Sequence, residues 1–372
     1  MRHTGKQSIS VGELAKAGLG HTRTAAADAV SLRTGLNVTR PSVIRGMVNE
    51  RCNYKCQYCD FWRLPHYQDE LSISDWQRAL LSLKDLIGGY TIQFSGGEPF
   101  IKKGFVELLE FCHERGIGWG VVTNGSALTP EIVERVVRAR PLNFDISVDA
   151  SVAEIHDSAR GVPGSLARIT TGIRRLRDAQ DRLGVRFPLR LKPTVHALNY
   201  RVLPELVQWT SAVGATCVDF KPVTPQRTGI NEETWIRGES MLSELRNVVR
   251  CLILMKLDGA PIETSVAALE AIPNHFCERS VRTSLSPCRV GLRNFHITPN
   301  GDVELCWFHQ PIGNVREQSA AEIWRGPRAR AIRARTVRCE KFGTPLCASS
   351  CLAHKSLREE FKRGLVLLTG AR

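Results

Sequence analysis

Residues 51–62 read RCNYKCQYCDFW and place three cysteines, Cys52, Cys56 and Cys59, at x3 and x2 spacing, with no further cysteine before Cys112. Four ligands close a structural metal site, whereas three leave one position open, as in catalytic sites. Three thiolates suit three corners of a 4Fe–4S cube, because cysteine is the usual ligand of such clusters. The fourth iron is then free to take a substrate or cofactor. Zinc fits less well: its knuckles pair two C-x2-C units, and x3 followed by x2 does not.

The rest of the composition agrees with an intracellular metalloprotein. The chain has 372 residues, 42% apolar and 24% charged, which suits one large globular domain and an appendage. Its twelve cysteines are clustered, which points to metal ligation rather than to disulfides. The opening MRHTGKQSISVGELAKAGLG lacks the apolar core of a signal peptide, and no stretch approaches the ~18–20 apolar residues of a membrane span. A cytoplasmic location is therefore expected. The net charge of +14 invites a nucleic-acid partner. However, its densest run, Arg325 to Arg335, reads as one solvated helix face, and an anionic substrate or cofactor uses the excess as well.

Residues 1–42 read as an N-terminal arm with an amphipathic stretch, ADAVSLRTGL. From 43 to 223, six β-rich runs alternate with amphipathic helices: 43–49, 91–95, 118–123, 143–149, 189–195 and 216–223. That rhythm predicts an α/β fold with a parallel sheet, and six units, short of the eight that close a TIM-type barrel, predict a partial (β/α)6 barrel. Chemistry in such sheets lies beyond the carboxyl ends of the strands, and the cysteine run follows the first strand. Residues 224–287 read as a linker with helices at 238–257 and 263–272. Residues 288–372 read as a separate, smaller Cys-rich α+β domain, with a hairpin turning at Asn300-Gly301, a helix at 319–335 and closing cysteines.

CNYKCQYC resembles the CxxxCxφC signature of the radical S-adenosylmethionine (radical SAM) superfamily, with Tyr58 as the aromatic φ. The resemblance implies that Cys52, Cys56 and Cys59 hold the cluster, that the amino and carboxylate groups of SAM chelate its fourth iron, and that Tyr58 lies near the adenine. Ser95-Gly96-Gly97-Glu98-Pro99, directly after the second strand, resembles the GGEP motif of that superfamily. Gly96 and Gly97 are expected to let backbone carbonyls approach the ammonium of SAM, with Glu98 adding negative charge and Pro99 completing the turn. Thr123-Asn124-Gly125 and Ser147-Val148-Asp149 fall where the family lines the ribose and the methionine carboxylate, which makes Thr123, Asn124, Ser147 and Asp149 candidates. Lys192 and Lys221, near the ends of strands five and six, are candidates for a substrate or SAM carboxylate, against the plainer reading of surface lysines.

The second cysteine group resembles the SPASM/twitch extension of radical SAM enzymes, which carries auxiliary 4Fe–4S clusters. Cys288, Cys306 and Cys351 match it best, and Cys339 and Cys347 compete for the fourth place. The second cysteine of the full SPASM run is missing, so one auxiliary cluster is expected. Cys277, in the polar setting NHFCERS, is the spare thiol with the best claim to donate a hydrogen atom. The resemblance implies reductive cleavage of SAM to a 5′-deoxyadenosyl radical that abstracts hydrogen from a small-molecule or peptide substrate, with a reductant such as flavodoxin or ferredoxin. Oxidation of a sugar, aminocyclitol or other natural-product intermediate is the favoured outcome. Maturation of a ribosomal peptide, epimerisation, and a zinc-binding, nucleic-acid-associated protein are the alternatives.

Overall fold

The computed structural model describes residues 11–63, 67–225, 229–277, 288–341, 344 and 347. Helix α1 (Val11–Thr34) leads to strand β1 (Val43–Met47), and α2 (Ile73–Ile87), β2 (Thr91–Ser95), α3 (Phe105–Glu114), β3 (Gly118–Thr123), α4 (Pro130–Arg138) and β4 (Asn143–Ile146) then alternate. Two helices follow, α5 (Ala153–Arg160) and α6 (Ser165–Leu183), before β5 (Leu189–Leu191), β6 (Thr194–Val195), α7 (Leu203–Val213), β7 (Cys217–Val218) and β8 (Lys221–Pro222). The remaining elements are α8 (Gly238–Leu257), α9 (Val266–Phe276), α10 (Val290–Arg293), β9 (Asn294–Ile297), β10 (Asp302–Glu304), β11 (Gly313–Asn314), α11 (Ala320–Arg325) and α12 (Pro327–Val337).

The period-2 pattern of the strands decides which face is which. Ile44, Ile92 and Phe94 are buried on the helix side, and a Cβ on Gly46 would sit 3.0 Å from the Trp76 ring of α2. Arg45 and Gln93, half-buried, face the other way, into the lumen of the barrel. α2 presents Trp76, Ala79, Leu80, Leu83 and Leu86 to the sheet at helical spacing. It starts at Ser72, where a reciprocal capping box with Asp75 satisfies the first backbone donors.

The strands run β11-β10-β9-β1-β2-β3-β4-β5-β7 in one sheet, and β6 pairs with β8 in a second. The six predicted strand positions are present and parallel from β1 onward, which makes the core a partial (β/α)6 barrel. The fifth and sixth positions are each broken in two. In the fifth, Pro193 supplies no backbone N–H, so the ladder stops and resumes as β6.

The C-terminal hairpin is joined to the core sheet. β9 pairs parallel with β1, Val43 to Asn294 through Gly46 to Ile297. An open barrel leaves β1 as a sheet edge with unpaired backbone groups, and β9 covers it. The helix expected over 319–335 is also two helices, parted at Gly326-Pro327 where proline begins α12. On the other side, buried Asp28 of α1 pairs with Arg289, just before α10, and with Arg293 of α10, which ties the arm beside Cys288.

Candidate active site

The loop after β1 carries Cys52, Cys56 and Cys59 over the carboxyl ends of the strands. Cys56 is buried, and Cys52 and Cys59 are half-buried. Burial raises all three thiols, Cys52 and Cys59 to about 11, and each of these two feels the Cys56 sulfur as a like-charged neighbour. Among the described residues no three Cys, His or carboxylate side chains already close on a single metal ion. Three partly desolvated sulfurs that disfavour the charged state when alone fit a cationic iron centre, which makes them thiolates.

The GGEP segment is tied closely to this loop. Gly97 N–H donates to the Asn49 carbonyl at 3.0 Å, Glu98 N–H to the Arg51 carbonyl at 2.8 Å, and the Asn49 side chain to the Glu98 carbonyl at 2.9 Å. A Cβ on Gly97 would lie 2.1 Å from the Arg51 oxygen, and Gly96, at φ 145°, would meet the Asn49 oxygen at 2.4 Å. The two glycines are needed where two backbones touch.

Glu98 is engaged within the protein as well. Its carboxylate is fully buried and accepts from Thr123 Oγ1 (2.7 Å), Asn124 N–H (2.7 Å) and Phe100 N–H (3.1 Å). Burial raises it to about 7 against those hydrogen bonds. It fastens the end of β2 to the end of β3, while Pro99 is buried in the following turn. Thr123 is thereby occupied by Glu98. Asn124 holds the cysteine loop, donating to Asn53 Oδ1 at 2.9 Å and lying 3.9 Å from the Cys52 sulfur.

Asp149 is a buried hub. It accepts from Tyr58 (2.6 Å), Thr194 N–H (2.9 Å) and Arg160 Nη2 (2.9 Å), and Arg160 Nε lies 2.8 Å away. Burial works against its charge, but Arg160 and then His196 outweigh it and hold the carboxyl far below its ordinary value. The Tyr58 ring sits between Arg160 and His196, whose ring centroid is 5.1 Å away, so its phenol is spent on Asp149. Ser147 is half-buried beside this hub, with its N–H on the Thr123 carbonyl.

The residue that sequence reasoning missed is Arg160. It ends α5, a helix not anticipated from the pattern, and its Nη1 lies 3.9 Å from the Cys56 sulfur. One guanidinium thus joins Asp149, Tyr58 and the cysteine loop. The available signal was the charged face His156, Asp157 and Arg160 in a short stretch after β4. Arg160→Met should leave Asp149 as an unpaired buried charge and cost about 3–5 kcal/mol. Denaturant unfolding of the variant checks this, and an unchanged midpoint would show that the pair is not structural.

Lys192 and Lys221 are brought together at the barrel mouth on one carboxylate. Lys192 bonds Asp219, Lys221 lies 3.6 Å from it, and Thr264 donates to its other oxygen at 2.8 Å. Two ammonium groups on one carboxylate leave a positive charge, with Lys221 42% exposed. Cys277 caps α9, half-buried, next to Arg246 of α8.

The second cysteine group also converges. Cys288 and Cys347 are buried together, with Cys306 and Phe308 packed on them. Burial raises Cys306 to about 11, and the like charges of Cys347, Cys288 and Cys339 add to it. Cys347 shares this cluster, and Cys339, its rival in the sequence, lies near enough for its charge to act on Cys306. Cys351 lies outside the described residues.

Known proteins carry the same two parts. The radical SAM superfamily profile matches residues 47–189, and the SPASM iron–sulfur cluster-binding domain matches residues 288–352. An AdoMet-dependent heme synthase of Methanosarcina barkeri is 26% identical over 294 residues, 76% of this chain and 82% of that protein. A PqqA peptide cyclase of Rhodopseudomonas palustris is 26% identical over 289 residues, 76% of this chain and 73% of that one. Streptococcus suis SuiB bound to S-adenosylmethionine superposes with a TM-score of 0.64 at 17% identity, covering 89% of this chain and 76% of its own, which speaks to the fold. A cysteine loop at the mouth of a partial barrel and a second cysteine cluster beyond it therefore carry one meaning: this chain is a radical SAM protein with a C-terminal SPASM domain, and its cofactors are S-adenosylmethionine, a 4Fe–4S cluster and auxiliary iron–sulfur.

Proposed function

We propose that this chain is a radical SAM maturase that oxidises or crosslinks a peptide or related natural-product substrate held in the barrel. The observation that supports it most is the set of three thiols, one buried and two half-buried, gathered at the strand ends, with Asn124 and Arg160 holding the loop from two sides. Cys52, Cys56 and Cys59 would hold the first cluster, and four of Cys288, Cys306, Cys339, Cys347 and Cys351 the auxiliary one. When bound, these groups and SAM supply a 5′-deoxyadenosyl radical and a store for one electron.

The protein's own part is positioning and exclusion. The Arg160–Asp149–Tyr58 hub keeps the floor of the cofactor seat rigid, and Ser147 offers a hydroxyl beside it. Lys192 and Lys221 offer positive charge at the mouth. A reductant such as flavodoxin or ferredoxin would deliver the electron. The PqqA peptide cyclase relative favours a peptide substrate, and a heme synthase relative keeps a carboxylate-bearing small molecule in view. Oxidation of a sugar or aminocyclitol, favoured from the sequence, is a further outcome of the same test. No helix among the described residues is long and apolar enough to cross a membrane.

Iron-loaded protein, reduced anaerobically, is expected to form 5′-deoxyadenosine from SAM. Mass spectrometry of candidate peptides treated in deuterated water then reads the outcome. Loss of two hydrogens supports oxidation or crosslinking. Solvent deuterium at the attacked carbon without a change in oxidation state would replace it with epimerisation, for which Cys277 is the first donor to substitute.

A further inference from the structure

Strand register places three polar residues side by side in the barrel lumen, away from every group used above. Arg45 on β1 is in register with Gln93 on β2 and with His296 on β9, so all three share the face opposite the helices. Arg45 is half-buried and makes no ion pair among the described residues. Burial alone acts on it, lowering its affinity for the proton, and no carboxylate offsets this. His296 is 7% exposed, and its Nε2 has no partner. Gln93 Nε2 is likewise buried and unpartnered.

The neighbouring hydrogen bonds fix which end of Gln93 points inward. Arg190 holds Asp145 with two bonds, at 2.7 and 3.0 Å, so that carboxylate only accepts. Asn143 must therefore turn its NH2 toward Asp145, at 3.0 Å, and the same NH2 takes Gln93 Oε1 at 3.1 Å. The Gln93 NH2 is left facing the lumen as a donor. Asp145 is thus unavailable to Arg45, and Glu304, across the ladder from His296, is engaged in a contact of its own. An unpaired guanidinium beside an orphaned amide donor and an orphaned ring nitrogen, both buried, is costly unless a partner arrives.

We propose that Arg45, Gln93 and His296 form a carboxylate-binding seat that holds an acidic group of the substrate, with the carbon under attack lying nearer the cysteine loop. The seat rests on the reading that the substrate enters the barrel. A planar guanidinium, the Gln93 NH2 and the His296 ring as its Nε2–H tautomer match two oxygens and one negative charge, whereas the two charges of a phosphate would be only half met. Trp307, 49% exposed and with its ring 5.8 Å from that of His296, offers an apolar wall for the rest of the molecule.

The test is 19F NMR of trifluoroacetate added to the iron-loaded, SAM-bound protein, with neutral trifluoroacetamide as control. Specific broadening of trifluoroacetate, displaced by acetate more readily than by inorganic phosphate, is expected. Arg45→Gln and Gln93→Leu should each weaken it, Arg45→Gln about tenfold or more, and Arg45→Lys should restore part. Arg78→Gln, on the exposed face of α2, should not alter it. Iron content reports whether each variant folds. Equal broadening in Arg45→Gln, or tighter competition by phosphate, would overturn the seat. Absence of 5′-deoxyadenosine in the wild-type protein would instead overturn the reading of the function, so the two failures are separable.

Discussion

Replacing Cys52, Cys56 and Cys59 together by alanine is expected to abolish 5′-deoxyadenosine formation and to remove about half of roughly eight irons per chain. The magnitude follows from ligation of two cubes by two separate sets of cysteines. The first set shares one loop after β1, and the second is assembled from the residues before α10, the β10 hairpin and the residues beyond α12. Removing one set leaves the other intact. Cys288→Ala or Cys306→Ala should take the opposite half of the iron and lose product while still permitting some SAM cleavage. Anaerobic purification with iron and sulfide analysis reads both. A triple variant that still makes 5′-deoxyadenosine would falsify the assignment of the first loop, and zinc in place of iron would install the zinc reading.

Gly97→Val carries the next largest effect, and its expected direction comes from the structure. As a ligand-facing glycine it would lose SAM affinity and keep its iron. The built geometry says otherwise: the new Cβ falls 2.1 Å from the Arg51 oxygen and 2.5 Å from the Glu50 oxygen. Both are backbone atoms, which cannot rotate aside as a side chain does. The segment must move, and it leads directly into Cys52. The expected result is loss of the first cluster's iron, about four atoms per chain, together with the Gly97–Asn49 and Glu98–Arg51 hydrogen bonds. Gly89→Val is the control, since a Cβ there meets nothing within 4 Å. Full iron content in Gly97→Val with weakened SAM binding alone would return the glycine to the ligand.

The sequence by itself determined the elements and the chemistry that local spacing encodes. Strand alternation is legible because a pleated strand repeats every two residues, and six such runs followed by helices leave little choice but a partial parallel barrel. The x3–x2 cysteine run is legible because its three ligands lie on one short loop. What only the tertiary structure decided are contacts between residues far apart in the chain. Arg160 reaches the Cys56 sulfur across 104 positions, and no local pattern records that approach. Asp149 and Glu98 were legible as acids near the site, yet each is turned inward. Arg160 at one and backbone N–H groups at the other offer more to a buried carboxylate than a ligand at the mouth would. The hairpin reads as local from its Asn-Gly turn, but its attachment to β1 depends on an open sheet edge that exists only once the barrel has formed. The row of Arg45, Gln93 and His296 is the extreme case. Each residue alone is an ordinary polar position on a strand, and parallel register alone sets the three side by side.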